Sequence, residues 1–288
     1  MSPRLVLWRQ AGQFFDWQGR RIFFRLDGRG PCMLMMHGYP VSSYDWHAVW
    51  DSLCKDFTLI APDMLGMGFS DKPADFDYTI AQHAQMHLAL LKHLQIDQAR
   101  VVAHDLGVSV VQELLAVRQA VGTGPNVTDI TFLRGGLCPE EYRPRWIQRL
   151  LASACGAWVG PKIGQATFEK TLRQLFGAQT QPSADLLADF WTLYEHGGGR
   201  LMNHLVGRFW QDRLAQRHRL VNATRATATS MRLINGAADP NSGWHMAQAF
   251  KRLKPDAPVI KLETIGHWPQ IEAAQVVAGV IRGLRASA

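Results

Sequence analysis

Apolar residues along this chain gather in short, largely continuous runs at residues 33–36, 57–61, 100–103, 127–133, 231–234 and 259–262. Runs that do not alternate with polar residues are the mark of strands buried on both faces of a parallel sheet. Between them the period lengthens. Ile80, Ala84, Leu88, Leu91 and Leu94 recur at spacings of three and four, one face of an amphipathic helix. Residues 108–117 are apolar almost all round, which predicts a helix buried against the sheet. Ile271, Val277, Val280, Ile281 and Leu284 mark a closing helix, with Pro269 near its start as helix entry favours. Strand–helix alternation of this kind predicts a doubly wound α/β domain. Ahead of it, residues 6–15 and 21–26, divided by Trp17-Gln18-Gly19, predict an antiparallel hairpin at the sheet edge.

The alternation stops between about Pro139 and Arg225. Helix-length segments follow at 145–152, 168–176, 184–194 and 201–216, with no strand-like run among them. Gly160-Pro161, Gly177, Pro182 and Gly197-Gly198-Gly199 separate them. A helical insertion after the sixth strand of the main domain accounts for this order. The chain then divides into a core at 1–138 and 227–288 and an inserted helical unit at 139–226. Trp146, Trp158, Trp191 and Trp210 fall in the insertion, where aromatic residues suggest an apolar pocket or equally the insertion's own core.

Composition narrows the class. The chain has 288 residues, 47% of them hydrophobic, enough for one large core with an appendage. No run approaches the roughly 18 apolar residues of a membrane span, and the N-terminus does not read as a signal peptide. The net charge of +7 comes from scattered Lys and Arg, without a basic run or interleaved aromatics, so nucleic acid is not the expected partner. Cys32, Cys54, Cys138 and Cys155 have neither Cys-x-x-Cys nor metal-site spacing. They are expected to be buried, reduced thiols of a cytoplasmic protein. No metal or cofactor is implied, and the oligomeric state is left open.

In an open parallel sheet the reactive crevice lies beyond the carboxyl ends of the strands. The residues at those ends here are His37-Gly38-Tyr39-Pro40, Asp63, Asp105, Asp239 and Gly266-His267. Asp105 stands in Ala103-His104-Asp105-Leu106-Gly107, a small–x–acid–x–Gly turn between an apolar strand and an apolar helix. With Ser in its place the turn would be the nucleophile elbow of a hydrolase. Asp105 could instead cap the helix, and Asp239, just before Pro240, could be an ordinary turn residue. The order Asp105, Asp239, His267 favours the chemical reading, because it is the nucleophile–acid–base order of that fold.

Three blocks carry a closer likeness: residues 37–46, 61–73 and 103–107. They resemble the epoxide hydrolase and haloalkane dehalogenase branch of the α/β-hydrolase superfamily, with residues 139–144 nearest to mesoderm-specific transcript protein-like hydrolases. The resemblance implies a mostly parallel eight-stranded sheet flanked by helices, with a helical cap inserted after strand 6. It also implies that Asp105 attacks an sp³ carbon and becomes an alkyl ester. His267, oriented by Asp239, would then activate the water that hydrolyses the ester. The backbone N–H groups of Tyr39 and Leu106 would hold the oxyanion, with His37 nearby.

The chain departs from the branch at the leaving group. Dehalogenases hold the halide with side-chain N–H donors where this chain has Leu106 and Tyr39. Epoxide opening needs cap tyrosines as acids, and the region where one is expected reads Phe209-Trp210. Tyr194 is the preferred leaving-group acid, and Tyr142 a second residue near the substrate. The expectation is therefore epoxide hydrolysis of a small apolar substrate with water. Haloalkane dehalogenation or a non-catalytic ligand-binding relative are the alternatives.

Overall fold

The computed structural model describes residues 1–283. The continuous apolar runs form the interior of one sheet, built from β1 (Gly12–Trp17), β2 (Arg20–Gly28), β3 (Cys32–Met36), β4 (Thr58–Pro62), β5 (Gln98–Asp105), β6 (Asn126–Gly135), β7 (Ser230–Gly236) and β8 (Val259–Leu262). The spatial order is β1-β2-β4-β3-β5-β6-β7-β8. β2 is antiparallel to both β1 and β4, and the pairings from β4 through β8 are parallel. β3 lies between β4 and β5; the connection after β3 runs to β4 and the one after β5 runs the other way to β6, which opens a crevice between the carboxyl ends of β3 and β5.

Helices cover both faces because the strands are apolar on both. The helix Leu106–Val121, which follows β5, is buried over its first eleven residues. The helix Ile80–His93 begins where the Thr79 side chain accepts from the Gln82 N–H at 3.2 Å. Between β6 and β7 every regular element among the described residues is helical. The last helix of that stretch, Arg217–Ala226, packs on Leu106–Val121. There Gln112 donates to Thr224 at 3.0 Å, and Arg219 forms two 2.8 Å bonds to Glu113.

Several local expectations are corrected. Residues 3–10 are a helix and not the first half of a strand. The Ser2 hydroxyl caps it by accepting from Leu5 N–H at 3.2 Å, Pro3 presets its first turn, and Leu5 and Trp8, three apart, face inward. The expected helix at 201–216 is two, Gly199–Val206 and Phe209–Ala215, divided at Gly207. The closing helix is also two, Pro269–Glu272 and Ala274–Arg282, broken at Ala273, and Leu284 lies outside the described residues. Of the cysteines only Cys138 is buried; Cys155 is exposed and the other two are half-buried. Among the described residues no helix is long and apolar enough to cross a membrane.

Candidate active site

Asp105 ends β5 and begins the next helix at φ 46°, ψ −104°. A non-glycine residue with positive φ costs on the order of 1–3 kcal/mol, which the packing around it must offset. Its carboxylate forms no capping bond, so the helix-cap reading does not hold. Instead Oδ2 accepts from the Tyr39 N–H at 3.2 Å, across the crevice. Two glycines make this approach possible. A Cβ on Gly38 would stand 2.7 Å from that of Asp105, and one on Gly107 would stand 2.5 Å from the Met36 carbonyl.

Asp239 and His267 follow β7 and β8 and reach the same end of the sheet. His267 Nδ1 lies 3.5 Å from Asp239 Oδ1, and Ser242 N–H donates to Asp239 Oδ2 at 2.5 Å. The His267 loop is clamped from behind. Glu272 accepts from the N–H groups of Gly266 and Trp268, both at 2.9 Å, and His267 N–H donates to Leu175 at 2.8 Å. His104 Nε2 meets the His267 carbonyl at 2.8 Å, while its Nδ1 faces buried Asp45 at 3.3 Å. Asp45 also accepts from the Trp268 indole at 3.1 Å, so one carboxylate ties the elbow strand to the histidine loop.

Sequence reasoning missed Arg134. It lies at the end of β6 with φ 40°, fully buried. Its guanidinium contacts Asp239 Oδ2, the Ser242 hydroxyl and His267 Nδ1. The signal was available, because Arg134 occupies the carboxyl end of a strand like the other polar residues of the crevice. The apolar run at residues 127–133 stops one residue short of it.

These charges set the protonation states. Burial alone would raise the Asp105 carboxyl, but His267, charged in the acid range where the carboxyl titrates, and Arg213 bring it below the usual carboxylate range. Asp239 is held lower still: burial opposes ionisation, and Arg134, His267 and the Ser242 N–H outweigh it. Burial and then the Arg134 charge push His267 down to about 4, against the pull of Asp239. Near neutral pH the site therefore holds two carboxylates and an uncharged imidazole.

Above Asp105 lies a cavity of about 670 Å³, its open mouth included. Its apolar wall comes from Ile147, Leu151, Ile163, Phe168, Leu172 and Leu175. The insertion's tryptophans do not supply it; Trp146 and Trp158 are exposed, at 72% and 69%. Tyr39, Tyr142, Tyr194, Asn203 and His267 reach the same space. His37 does not: its Nδ1 bonds Gly38 O at 2.7 Å and its Nε2 accepts from Met64 N–H at 2.8 Å, so it shapes the turn. The Leu106 side chain is likewise buried in the core, away from the lining.

The tyrosines differ in their partners. Tyr142 oxygen accepts from Gln148 Nε2 at 2.9 Å, and the Gln148 carbonyl accepts from Arg145 N–H at 2.9 Å, which fixes the amide's orientation. The Tyr142 proton is left to be donated elsewhere. Arg213, buried, donates to Ser109 at 2.7 Å and stands 5.1 Å from the Tyr142 ring centre. Tyr39 donates to Asn203, and the Tyr194 ring lies tilted against Phe168, 4.6 Å between centres. Burial and the charge of Asp105 push Tyr142 up to about 12, with Arg213 opposing. Tyr194 is raised by burial, with no comparable contribution from Asp105. Among the described residues no cluster of His, Cys, Asp and Glu could hold a metal ion.

Comparison with known proteins places this geometry. The family model described as alpha/beta hydrolase fold matches residues 31–274. Mesoderm-specific transcript homolog protein of Bos taurus is 32% identical over 286 residues, covering 94% of this chain and 85% of that protein. Putative hydrolase LipZ of Mycobacterium tuberculosis is 29% identical over 279 residues, covering 96% of each. Among solved structures, an epoxide hydrolase, CorEH without ligand, superposes with a TM-score of 0.77 at 19% identity, over 94% of this chain and 97% of its own. Haloalkane dehalogenase DbeA from Bradyrhizobium elkani gives 0.78 at 24% identity, over 96% and 99%. At these identities the two structures share a fold with the chain and nothing narrower.

Proposed function

The chain belongs to the alpha/beta hydrolase fold family, and on that premise we propose that it hydrolyses epoxides to vicinal diols through an alkyl ester on Asp105. One observation carries the reading: an ionised carboxylate on a strained elbow shares an apolar cavity with a phenol, Tyr142, whose proton is unclaimed. In the first step an Asp105 oxygen attacks an oxirane carbon, and the carbon–oxygen bond breaks. Tyr142 gives its proton to the alkoxide that leaves. In the second step His267 Nε2 takes a proton from water, and the hydroxide attacks the Asp105 ester carbonyl. The N–H groups of Tyr39 and Leu106 stabilise the oxyanion, and removing one such donor typically costs about 2.7–4 kcal/mol. His267 passes that proton to the departing alkoxide and the diol leaves; the Asp105 acid so formed gives the other water proton back to the Tyr142 phenolate, and Asp105 retains one oxygen from water.

The carboxylate is what makes the second step possible. A serine would give an ether at carbon, which has no carbonyl for water to attack. Tyr142 replaces Tyr194 as the favoured acid because Asp105 acts on Tyr142 and because Gln148 already fills its acceptor site. Halide release is less well supported. Leu106 and Tyr39 supply no side-chain N–H, and no tryptophan is among the described residues lining the cavity.

Single turnover in heavy-oxygen water tests the reading. The label is expected in the Asp105 carboxylate of the recovered protein, and His267→Gln is expected to accumulate an adduct with the mass of the epoxide. Label found only in the diol, with no adduct on any residue, excludes the ester. Halide release without diol formation favours dehalogenation instead.

A further inference from the structure

A general base must present a lone pair on Nε2, so its proton must sit on Nδ1, where a carboxylate acceptor holds it. His267 Nδ1 has two neighbours that demand opposite things. Asp239 Oδ1, at 3.5 Å, calls for an N–H. The Arg134 guanidinium has five donors and no acceptor, stays protonated, and can meet Nδ1 only as a lone pair. Arg134 is the hydrogen-bonding neighbour of Nδ1, and Asp239 Oδ1 is left without a hydrogen-bond partner. It also claims Asp239 Oδ2 and the Ser242 hydroxyl, and it approaches the His267 carbonyl at 3.4 Å. All four groups are buried, so water does not relieve the competition.

We propose that Arg134 is a positioning residue that holds His267 with its proton on Nε2, so that alkylation of Asp105 outruns hydrolysis of the ester. The inference rests on the Asp105 ester reading and deepens it. Alkylation needs only the carboxylate and the leaving-group acid, and neither depends on the His267 tautomer. Ester hydrolysis transfers a water proton to Nε2, which is blocked while that nitrogen carries a hydrogen. Turnover then waits for Arg134 to yield Nδ1 to Asp239. The resting protein accumulates as the alkyl-enzyme after each encounter with substrate.

Two measurements test this. Nitrogen-15 NMR of histidine-labelled resting protein, with the His267 signals assigned by their loss in His267→Gln, reads the tautomer directly. The Nε2–H form is expected, and the Nδ1–H form overturns the inference even if no variant folds. Intact-mass kinetics with styrene oxide supplies the second readout. The wild-type adduct is expected to persist, and Arg134→Asn to shorten its lifetime about tenfold or more. Equal adduct lifetimes in a folded Arg134→Asn protein overturn the inference. Absence of any adduct in His267→Gln overturns the ester itself, and the inference falls with it.

Discussion

Replacing Tyr142 by Phe removes one oxygen and should separate the two cap tyrosines. General acid catalysis contributes about 10²–10⁴-fold, or roughly 2.7–5.4 kcal/mol at 1.36 kcal/mol per tenfold. The Tyr142 hydroxyl, pushed up to about 12, is still more acidic than the alcohol it would create, for which water at about 15.7 is a guide. Proton transfer to the leaving alkoxide is therefore downhill, and a loss of about 10³-fold in kcat/KM for styrene oxide is expected. The structural cost is smaller. Phe leaves Gln148 Nε2 without its 2.9 Å acceptor in a partly buried place, worth about 1 kcal/mol, or a few degrees in Tm. Initial rates of diol formation beside a thermal melt separate the two effects. Tyr194→Phe, which changes a residue with less influence from Asp105, should lose less than about tenfold. If Tyr142→Phe keeps more than half of the activity while Tyr194→Phe is inactive, the assignment to Tyr142 is wrong.

Two further outcomes follow from packing and charge. His37, His83 and His87 are buried, and burial pushes them down to about 3, 3 and 4. The unfolded chain takes up these protons as pH falls through about 6.5, whereas the folded chain does not, so the stability they contribute is complete above that pH. It should decline by about 1.4 kcal/mol per pH unit for each histidine as pH falls from 6.5 toward 4, measured as denaturant midpoints at several pH values. His83→Leu should reduce the slope, and an unchanged slope refutes the attribution to His83. Gly38→Ala places a methyl 2.7 Å from the Asp105 Cβ and 2.9 Å from His104 Nδ1. The elbow must shift, so activity should fall about 10²-fold or more, with a loss of stability of about 1–3 kcal/mol. Unchanged rates in a folded Gly38→Ala protein would show that the approach is not needed.

Much of this architecture was legible because it rests on local rules. Largely continuous apolar runs gave the central strands, since a parallel sheet covered by helices admits few polar side chains. The strand-to-helix turn at residues 103–107 located Asp105, because a small residue and a glycine are what let a backbone bend there against its neighbours. The order of polar residues after the strands located Asp239 and His267, and the structure brings both to the crevice with Asp105.

The initial helix departs from the strand expected at 6–15 because the Ser2 cap and Pro3 outweigh the apolar residues there. The break at Gly207 and the one at Ala273 were hidden for a related reason: apolar periodicity continues across a kink. His37 matched a motif, but only the neighbouring loop, through the Met64 N–H, shows that its nitrogens are already engaged.

What sequence alone determined is the chemistry on offer: a carboxylate at an elbow, followed in order by an acid and a histidine at later strand ends. Those follow from covalent order and hydrophobic period, which act over a few residues. Only the tertiary structure decided which groups share a proton. Arg134 meets His267 from 133 positions away, and Gln148 orients the Tyr142 hydroxyl through an amide whose direction is set by Arg145. Burial and charge at such sites depend on every element that closes over them, and no local pattern records that sum.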